Sequence, residues 1–388
     1  MKILQIPSWY LPEGGHFCLN QSMALQEAGI DVHILANVVL PWRKYKLSIF
    51  NYPIKAFFSI ENNIPIYRYY SWKYPFVDIP NIRKWVAQTV KMFDRYNEEH
   101  GSPDIIHVHS SMWGGYAAAL IKEKYGIPYV ITEHRGIFGS KSSFAKALLK
   151  NEYKLYLEKA FSQADYIIPV SDQLTEKISE YLTNPVPIKS ISNILDTEYF
   201  SPIQRKHKGN TPFTFISVNG YYIEKGYDIL LPAFDKLCKL NPNVNLRLIG
   251  ENFDYADFQK ILEKVKHKEK ISFTGEIPRE GVRKELWEAD AFVIASRIES
   301  QSVATLEAMS TGLPIVATSV IPNTMITNTV GYRVEIEDVN ALSEAMLQMI
   351  QNKDSFDSTE ISNHVKEIAG KEAVVSQLIE VYKEVLSK

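Results

Sequence analysis

The sequence predicts an α/β protein of two doubly wound, Rossmann-like domains facing each other across a cleft. Three observations lead there. Short apolar runs alternate with helical patterns along the chain. The alternation breaks once, at the polar stretch DTEYFSPIQRKHKGNTP (196–212), which reads as a linker, and then resumes. The length, 388 residues, suits two domains that each bury a sizeable core.

In the first half the expected strands are KILQI (2–6), DVHIL (31–35), DIIHV (104–108), PYVIT (128–132) and DYIIPV (165–170). Helical patterns such as FCLNQSMALQEAG and GYAAALIKEKYG separate them, and Gly29 and Gly126 stand where helix C-caps belong. The second series is FTFISV (213–218), NLRLIG (245–250), KISFTG (270–275), AFVIAS (291–296) and PIVAT (314–318). EAVVSQLIEVYKEVL (372–386) closes the chain as one amphipathic helix with no strand after it. Open sheets of this kind hold ligands outside the carboxyl ends of their strands.

Charge excludes one class of function. Lys and Arg total 43 against 45 Asp and Glu, so nothing global favours a nucleic-acid binder. Cys18 and Cys238 are far apart in sequence and read as buried thiols in a reducing compartment. MKILQIPSWY has an apolar run too short for a signal peptide, and no run is long enough to cross a bilayer, so the expected location is the cytoplasm. One imbalance is local. From Pro41 to Lys91 the bases are Arg43, Lys44, Lys46, Lys55, Arg68, Lys73, Arg83, Lys84 and Lys91, against only Glu61 and Asp78. Aromatic residues are interleaved with them, among them Trp42, Tyr45, Phe50, Phe57, Phe58, Tyr69, Tyr70, Trp72, Tyr74 and Trp85. Two readings stay open: peripheral contact with anionic lipid at the inner face of the membrane, or a solvated basic face over an aromatic core.

The stretch ASRIESQSVATLEAMSTGLPIVAT (295–318) carries the chemistry. It follows a strand, and a short helix is expected from Ser302 as N-cap to Gly312 as the residue beyond its end. A bare helix start at a sheet's carboxyl edge suits a diphosphate. Ionised Glu299 and Glu307 accept hydrogen bonds and donate none, which fits hydroxyl-rich partners such as a sugar and a ribose. A glycosidase pair is the competing reading. Eight helical steps would set the two Cα atoms roughly 12 Å apart, whereas such carboxyls stand about 5 to 10 Å apart; a loop could shorten the gap, so geometry alone leaves this open. His107 and His109 would point the same way from a strand, but no Cys, Asp or Glu stands at ligand spacing, and no metal site is predicted.

The assembly of motifs resembles the retaining glycosyltransferases of family 4, the group 1 enzymes with the GT-B fold. Glu-x7-Glu after ELWEADAFVIAS is similar to the family's donor-binding signature. IPSWYLPEGGHF resembles its N-terminal glycine loop, PDIIHVHS and YVITEHRG its next landmarks, and PVSDQL and SNILDTEYFSP its run into the linker. EKGYDILLPAF resembles its phosphate-lysine motif, and NTVGYRVEIEDVNALSEAM its C-terminal glycine turn. The order and spacing cover almost the full length.

The resemblance implies an acceptor-binding domain over 1–200, a nucleotide-sugar-binding domain over 201–371, and a helix over 372–388 that packs back towards the first. It implies that Glu299 contacts the transferred sugar and Glu307 the ribose, with Ser300, Gln301, Ser302 and Val303 at the diphosphate. Lys225 would neutralise the phosphates as the leaving group develops charge. Gly14 and Gly15 would form the glycine loop, Gly15 pressed against the β-phosphate, with His134 at the donor sugar. No cofactor is implied; a UDP- or GDP-linked sugar is the substrate, a saccharide or lipid-linked acceptor the partner, and the chemistry needs no metal. The sequence departs from the pattern twice. Gly220 stands where the family has an arginine on the diphosphate, for which Arg297 is the candidate substitute, and Gln301-Ser302 replaces Phe-Gly. The expected activity is retaining, metal-independent hexosyl transfer in surface polysaccharide or glycan assembly. A catalytically silent partner subunit and a nucleotide-sugar epimerase of the same fold are the alternatives.

Overall fold

The computed structural model describes residues 1–53, 55–73, 77–138, 151–203 and 211–388. Tyr74 and residues 204–210 of the stretch read as a linker lie outside them. The chain divides into two compact units, Met1–Ile194 with Val374–Lys388, and Leu195–Ala373. The sequence reading set the first boundary at 200/201. Leu195 and Phe200 are buried in the second unit's core, and Trp287 Nε1 donates to the Ser201 carbonyl at 3.0 Å. Residues 196–201 are therefore packed structure, not linker.

The first unit holds a seven-stranded sheet in the order β3-β4-β2-β1-β5-β6-β7. The strands are β1 (Lys2–Pro7), β2 (Asp31–Val39), β3 (Phe57–Glu61), β4 (Ile64–Ser71), β5 (Ile105–His109), β6 (Tyr129–Glu133) and β7 (Tyr166–Pro169). Successive residues face opposite layers, as the strand period requires. Ile3, Ile105 and Val130 meet Leu25, Leu378 and Tyr382 on one side; Leu4, Ile106 and Ile131 meet Phe93, Ala118 and Phe161 on the other. All pairs are parallel except β3 and β4. Those two form a hairpin whose turn residues Asn62 and Asn63 both have positive φ, 51° and 62°.

That hairpin was not foreseen, and it sorts the basic aromatic stretch. Tyr67 and Trp85 are buried, and Arg68 is buried with both Nη atoms on Glu61, at 2.7 and 2.9 Å. Trp42, Leu47 and Phe50 remain exposed.

The helix Lys371–Leu386 buries Val374, Leu378, Val381, Tyr382 and Val385, a three-and-four spacing, against β1, β2, β5 and β6 of the first unit.

The second unit is a six-stranded parallel sheet, β10-β9-β8-β11-β12-β13. Its strands are β8 (Phe213–Val218), β9 (Val244–Ile249), β10 (Ile271–Gly275), β11 (Ala291–Ile294), β12 (Ile315–Thr318) and β13 (Gly331–Val334). Phe215, Leu248 and Val293 face Phe234 and Met346; Ile216, Phe292 and Ile315 face Leu306 and Ile361. The strand order turns back between β8 and β11, so the crevice for a ligand lies outside their carboxyl ends. In the first unit the turning point is between β1 and β5.

Candidate active site

In the second unit two loops leave that switch point. After β8 comes Asn219–Gly226, ending in the short turn Ile223–Lys225; after β11 comes Ala295–Ser302, leading into the helix Val303–Ser310. They touch. Gly226 has φ 67°, and a Cβ there would stand 2.0 Å from the Ala295 carbonyl oxygen, so only glycine fits. Arg297 N–H donates to the Glu224 carbonyl at 2.7 Å.

This contact sets the side chains. Lys225 Nζ donates to Glu299 Oε1 at 2.8 Å, and Ser296 Oγ donates to the same oxygen at 2.7 Å. Arg297 is held: Nη1 and Nη2 donate to Asp228 at 2.8 and 2.7 Å, Nε to Glu337 at 2.8 Å, and Nη1 also to the Ile223 carbonyl at 2.7 Å. As a substitute for the missing arginine it is poorly placed, because its donors brace the two loops. Gly220 has its own packing reason. A Cβ there would meet Glu251 Cγ at 2.9 Å and the Glu251 carbonyl oxygen at 3.2 Å, so an arginine could enter only by displacing Glu251.

The helix Val303–Ser310 ends as expected, with Gly312 at φ 78°, Gly312 N–H on the Met309 carbonyl and Leu313 N–H on the Ala308 carbonyl. Its start differs from expectation. Ser302 occupies the N-cap position, but its hydroxyl pairs with Thr305 Oγ1 at 2.7 Å and caps no backbone N–H. Val303 N–H bonds to the Gln301 carbonyl at 2.9 Å. Gln301 and Ser302 are buried, Ser300 is half-buried, and Val303 is exposed. One turn on, Glu307 is different again. Burial pushes its carboxyl up to about 7, eased by the positive charge of Arg279. Among the described residues no hydrogen-bond donor reaches that carboxyl.

The other expected residues lie in the first unit, at the ends of β1, β5 and β6. Gly14 and Gly15 have φ 102° and 82°, and a Cβ on Gly15 would come within 2.6 Å of the Trp9 carbonyl oxygen. His134 stacks on Phe17 at 3.8 Å between centroids. Its Nε2 is 2.9 Å from His109 Nδ1, and His109 Nε2 is 2.7 Å from Gln5 Oε1. His107 lies parallel to His109 at 4.8 Å and bonds Thr132 and Tyr382 at 2.7 and 2.5 Å. Burial lowers the pKa of all three imidazoles, that of His109 to about 3, so they are neutral at physiological pH. His107 and His109 thus form a hydrogen-bonded stack. Among the described residues no group of three or more His, Cys, Asp or Glu is placed to hold a metal.

Sequence reasoning missed four contributors. Gly226 stood in a quoted motif and could have been found from its place between Lys225 and a helix start. Ser296 and Asp228 carried no signal beyond being small and polar. Glu133 stood unremarked inside the quoted YVITEHRG; it is buried and takes Ser110 Oγ, Ser111 Oγ, Ser111 N–H and Arg135 N–H at 2.6 to 2.9 Å, fixing the loops after β5 and β6.

Comparison with known proteins gives a concordant result. The family model described as glycosyl transferases group 1 matches residues 201–371, and that described as Glycosyltransferase Family 4 matches residues 14–199. The chain is 28% identical over 345 residues to TuaC of Bacillus subtilis, a glycosyltransferase assigned to teichuronic acid biosynthesis, covering 82% of this chain and 81% of that one. Among solved structures, sucrose-phosphate synthase from Thermosynechococcus elongatus superposes with TM-score 0.77 at 18% identity over the full length of both chains. HepE of Anabaena in complex with UDP and glucose gives 0.71 at 15% identity, over 99% of this chain and 100% of that one. These likenesses identify the fold as GT-B.

Proposed function

This chain belongs to glycosyltransferase family 4, the group 1 glycosyltransferases, and we propose that it moves a sugar from a nucleoside-diphosphate sugar to a saccharide or lipid-linked acceptor with retention of configuration, in the assembly of a surface polysaccharide or related glycan. One observation carries the reading. At the switch point of the second unit Lys225 and Glu299 are 2.8 Å apart beside a helix start that no side chain caps, with the donor-free carboxyl of Glu307 one turn further on. A cation, backbone N–H groups and two acceptors in that order suit the phosphates, the sugar and the ribose of one ligand. The UDP complex of HepE supports UDP as the nucleotide, and the relation to TuaC supports a cell-surface polymer as the product.

In this reading the entering diphosphate draws Lys225 Nζ from Glu299, which frees Glu299 to accept from sugar hydroxyls. Lys225 and the backbone N–H groups stabilise the charge that grows on the leaving phosphate, so the chain's own residues do the work a metal does elsewhere. In the family's front-face chemistry the nucleotide leaves from the face the acceptor enters, and a departing phosphate oxygen takes the acceptor hydroxyl's proton. Gly15 is assigned the room a phosphate needs and His134 a contact to the donor sugar.

A thermal-shift screen against UDP- and GDP-sugars tests the donor. A ligand at a hundred times its Kd stabilises the fold by about 2.7 kcal/mol. One nucleotide sugar should raise Tm by several degrees, and Lys225→Ala and Glu307→Ala should abolish the shift. NMR of the product should show the donor's anomeric configuration. An inverted product, or no shift with any nucleotide sugar, overturns the assignment; an epimerised donor in the absence of acceptor points to the other reaction.

A further inference from the structure

We propose that the segment from Trp42 to Asn51 is a wedge that docks the protein on an anionic lipid surface. It folds as a helical turn, Trp42–Tyr45, followed by a 3-10 turn, Lys46–Asn51. One face is anchored. Ile49 is buried among Tyr10, Leu19 and Leu40, with Tyr45 and Tyr52 packed beside it. Tyr45 stacks edge-on against Tyr52 at 5.5 Å, and Tyr52 against Tyr70 at 4.7 Å.

The outer face is apolar without being covered. Trp42, Leu47 and Phe50 are 53%, 73% and 70% exposed. Leu47 and Phe50 are three residues apart in a 3-10 turn, which puts them on one side, and the Phe50 ring meets Trp42 edge-on at 6.5 Å. Grouped exposed apolar side chains on a fixed scaffold mark an interaction surface. The charge around them chooses the partner. From Pro41 to Ile60 the sequence has Arg43, Lys44, Lys46 and Lys55 and no acidic residue. Exposed aromatic and aliphatic side chains in a stretch whose sequence carries bases and no acid match a bilayer interface with anionic headgroups, the rings at headgroup depth and the bases towards the phosphates.

The anchor also places the wedge. Lys44 Nζ and Tyr45 Oη both donate to Glu13 Oε1, at 2.9 and 2.6 Å, and Glu13 adjoins Gly14 and Gly15. A membrane held by the wedge therefore lies beside the glycine loop, where a lipid-linked acceptor is wanted. That purpose rests on the function proposed above; the docking itself does not.

Co-sedimentation with vesicles tests it. The full chain, without donor, is mixed with phosphatidylcholine vesicles containing about a third phosphatidylglycerol, and with phosphatidylcholine alone. The protein should bind the anionic vesicles, lose binding in high salt, and leave neutral vesicles largely unbound. Trp42→Ser/Leu47→Ser/Phe50→Ser should weaken binding at least about tenfold, and Lys46→Gln about fivefold. Leu155→Ser, which removes another exposed apolar side chain of the same unit, 75% exposed, should change nothing. All variants should keep the Tm shift given by the nucleotide sugar, so loss of docking is distinguishable from loss of the donor site. A wild-type protein that stays in the supernatant, or a triple variant that binds as well, overturns the proposal. So does a triple variant that instead breaks a dimer, since a second copy would then be the partner.

Discussion

At the carboxyl edge of the second unit's sheet Lys225 and Glu299 pair with 25% and 10% of their side-chain surface still open to solvent. At the same edge of the first unit's sheet Gln5, His107 and His109 are fully buried and exchange hydrogen bonds with Thr132, His134 and Tyr382. Both sets stand where the strand order turns back. One is an ion pair that a ligand can open, because water already competes for it. The other is a neutral network sealed from water, in which the bonds that are made fix the orientation of each ring. The comparison teaches that the second unit is made to answer charge and the first to keep shape.

The sharpest way to break the second unit is Gly226→Ala. The new Cβ would stand 2.0 Å from the Ala295 carbonyl oxygen, at a backbone φ of 67°. The loops of Lys225 and Glu299 must then part, at a cost of about 4 kcal/mol or more. Gly29→Ala in the first unit is the control: φ is 82° and nothing lies within 4 Å, so only the left-handed conformation is penalised, by about 1 kcal/mol. Denaturant midpoints of the two variants measure the difference.

Next comes Lys225→Ala. Removing a preorganised charge from a leaving group costs about 10²–10³ in kcat, while an ion pair that keeps some contact with water, and whose carboxylate retains Ser296, contributes about 1 kcal/mol to stability. Single-turnover rates should fall by that factor with Tm nearly unchanged. A large drop in Tm with a small drop in rate would reverse the contrast drawn between the units.

The legibility of these parts differs for physical reasons. Ten strands of the sheets were read correctly because buried parallel strands are apolar runs bounded by turn residues. The hairpin of β3 and β4 was missed because its turn, Asn62-Asn63, is a weaker signal than Asn-Gly, and because its strands carry Arg68 and five Tyr or Phe rings that read as surface. β13 was missed because it has four residues, Gly331–Val334, and begins on a glycine. At the candidate site the motif order singled out Lys225, Glu299 and Glu307, and the structure brings the first two within 2.8 Å. Sequence spacing says nothing of which carboxylate a guanidinium will find, so the capture of Arg297 by Asp228 and Glu337, residues 69 and 40 positions away, was out of reach.

The two units should also answer pH with opposite sign. Burial raises the Glu307 carboxyl from 4.5 to about 7. The folded state therefore favours the protonated form, and the stabilisation is complete below the unfolded value and lost as pH rises through about 7. The loss is about 3 kcal/mol. Burial lowers His109 from 6.5 to about 3 and His107 and His134 in the same direction. Their contribution is complete above 6.5 and is lost as pH falls towards the folded values. Glu307→Gln should remove the Glu307 share of the fall in Tm between pH 4.5 and about 7 and leave the loss due to the imidazoles at lower pH in place. Donor affinity should behave inversely: an ionised carboxylate accepts from ribose hydroxyls more strongly than a neutral one, so wild-type Kd should improve as pH rises through about 7 and that of Glu307→Gln should not.

The smallest contrast compares single hydrogen bonds. Ser296 Oγ donates to Glu299 at 2.7 Å, and Thr132 Oγ1 bonds His107 Nε2 at the same distance. Ser296→Ala leaves a carboxylate that still has Lys225 and some water, so stability should fall by under about 1 kcal/mol. Glu299 also loses its orientation towards the donor, and KM for the nucleotide sugar should rise several-fold. Thr132→Val strands a buried imidazole nitrogen, which costs about 1–3 kcal/mol, and should leave KM within twofold because Thr132 and His107 lie in the interior of the network and are assigned no contact to the donor. Equal stability losses for the two variants would mean that the Glu299 oxygen is as closed to water as the interior of the imidazole stack, and a diphosphate could then not displace Lys225 from it without first paying the desolvation that the open ion pair avoids.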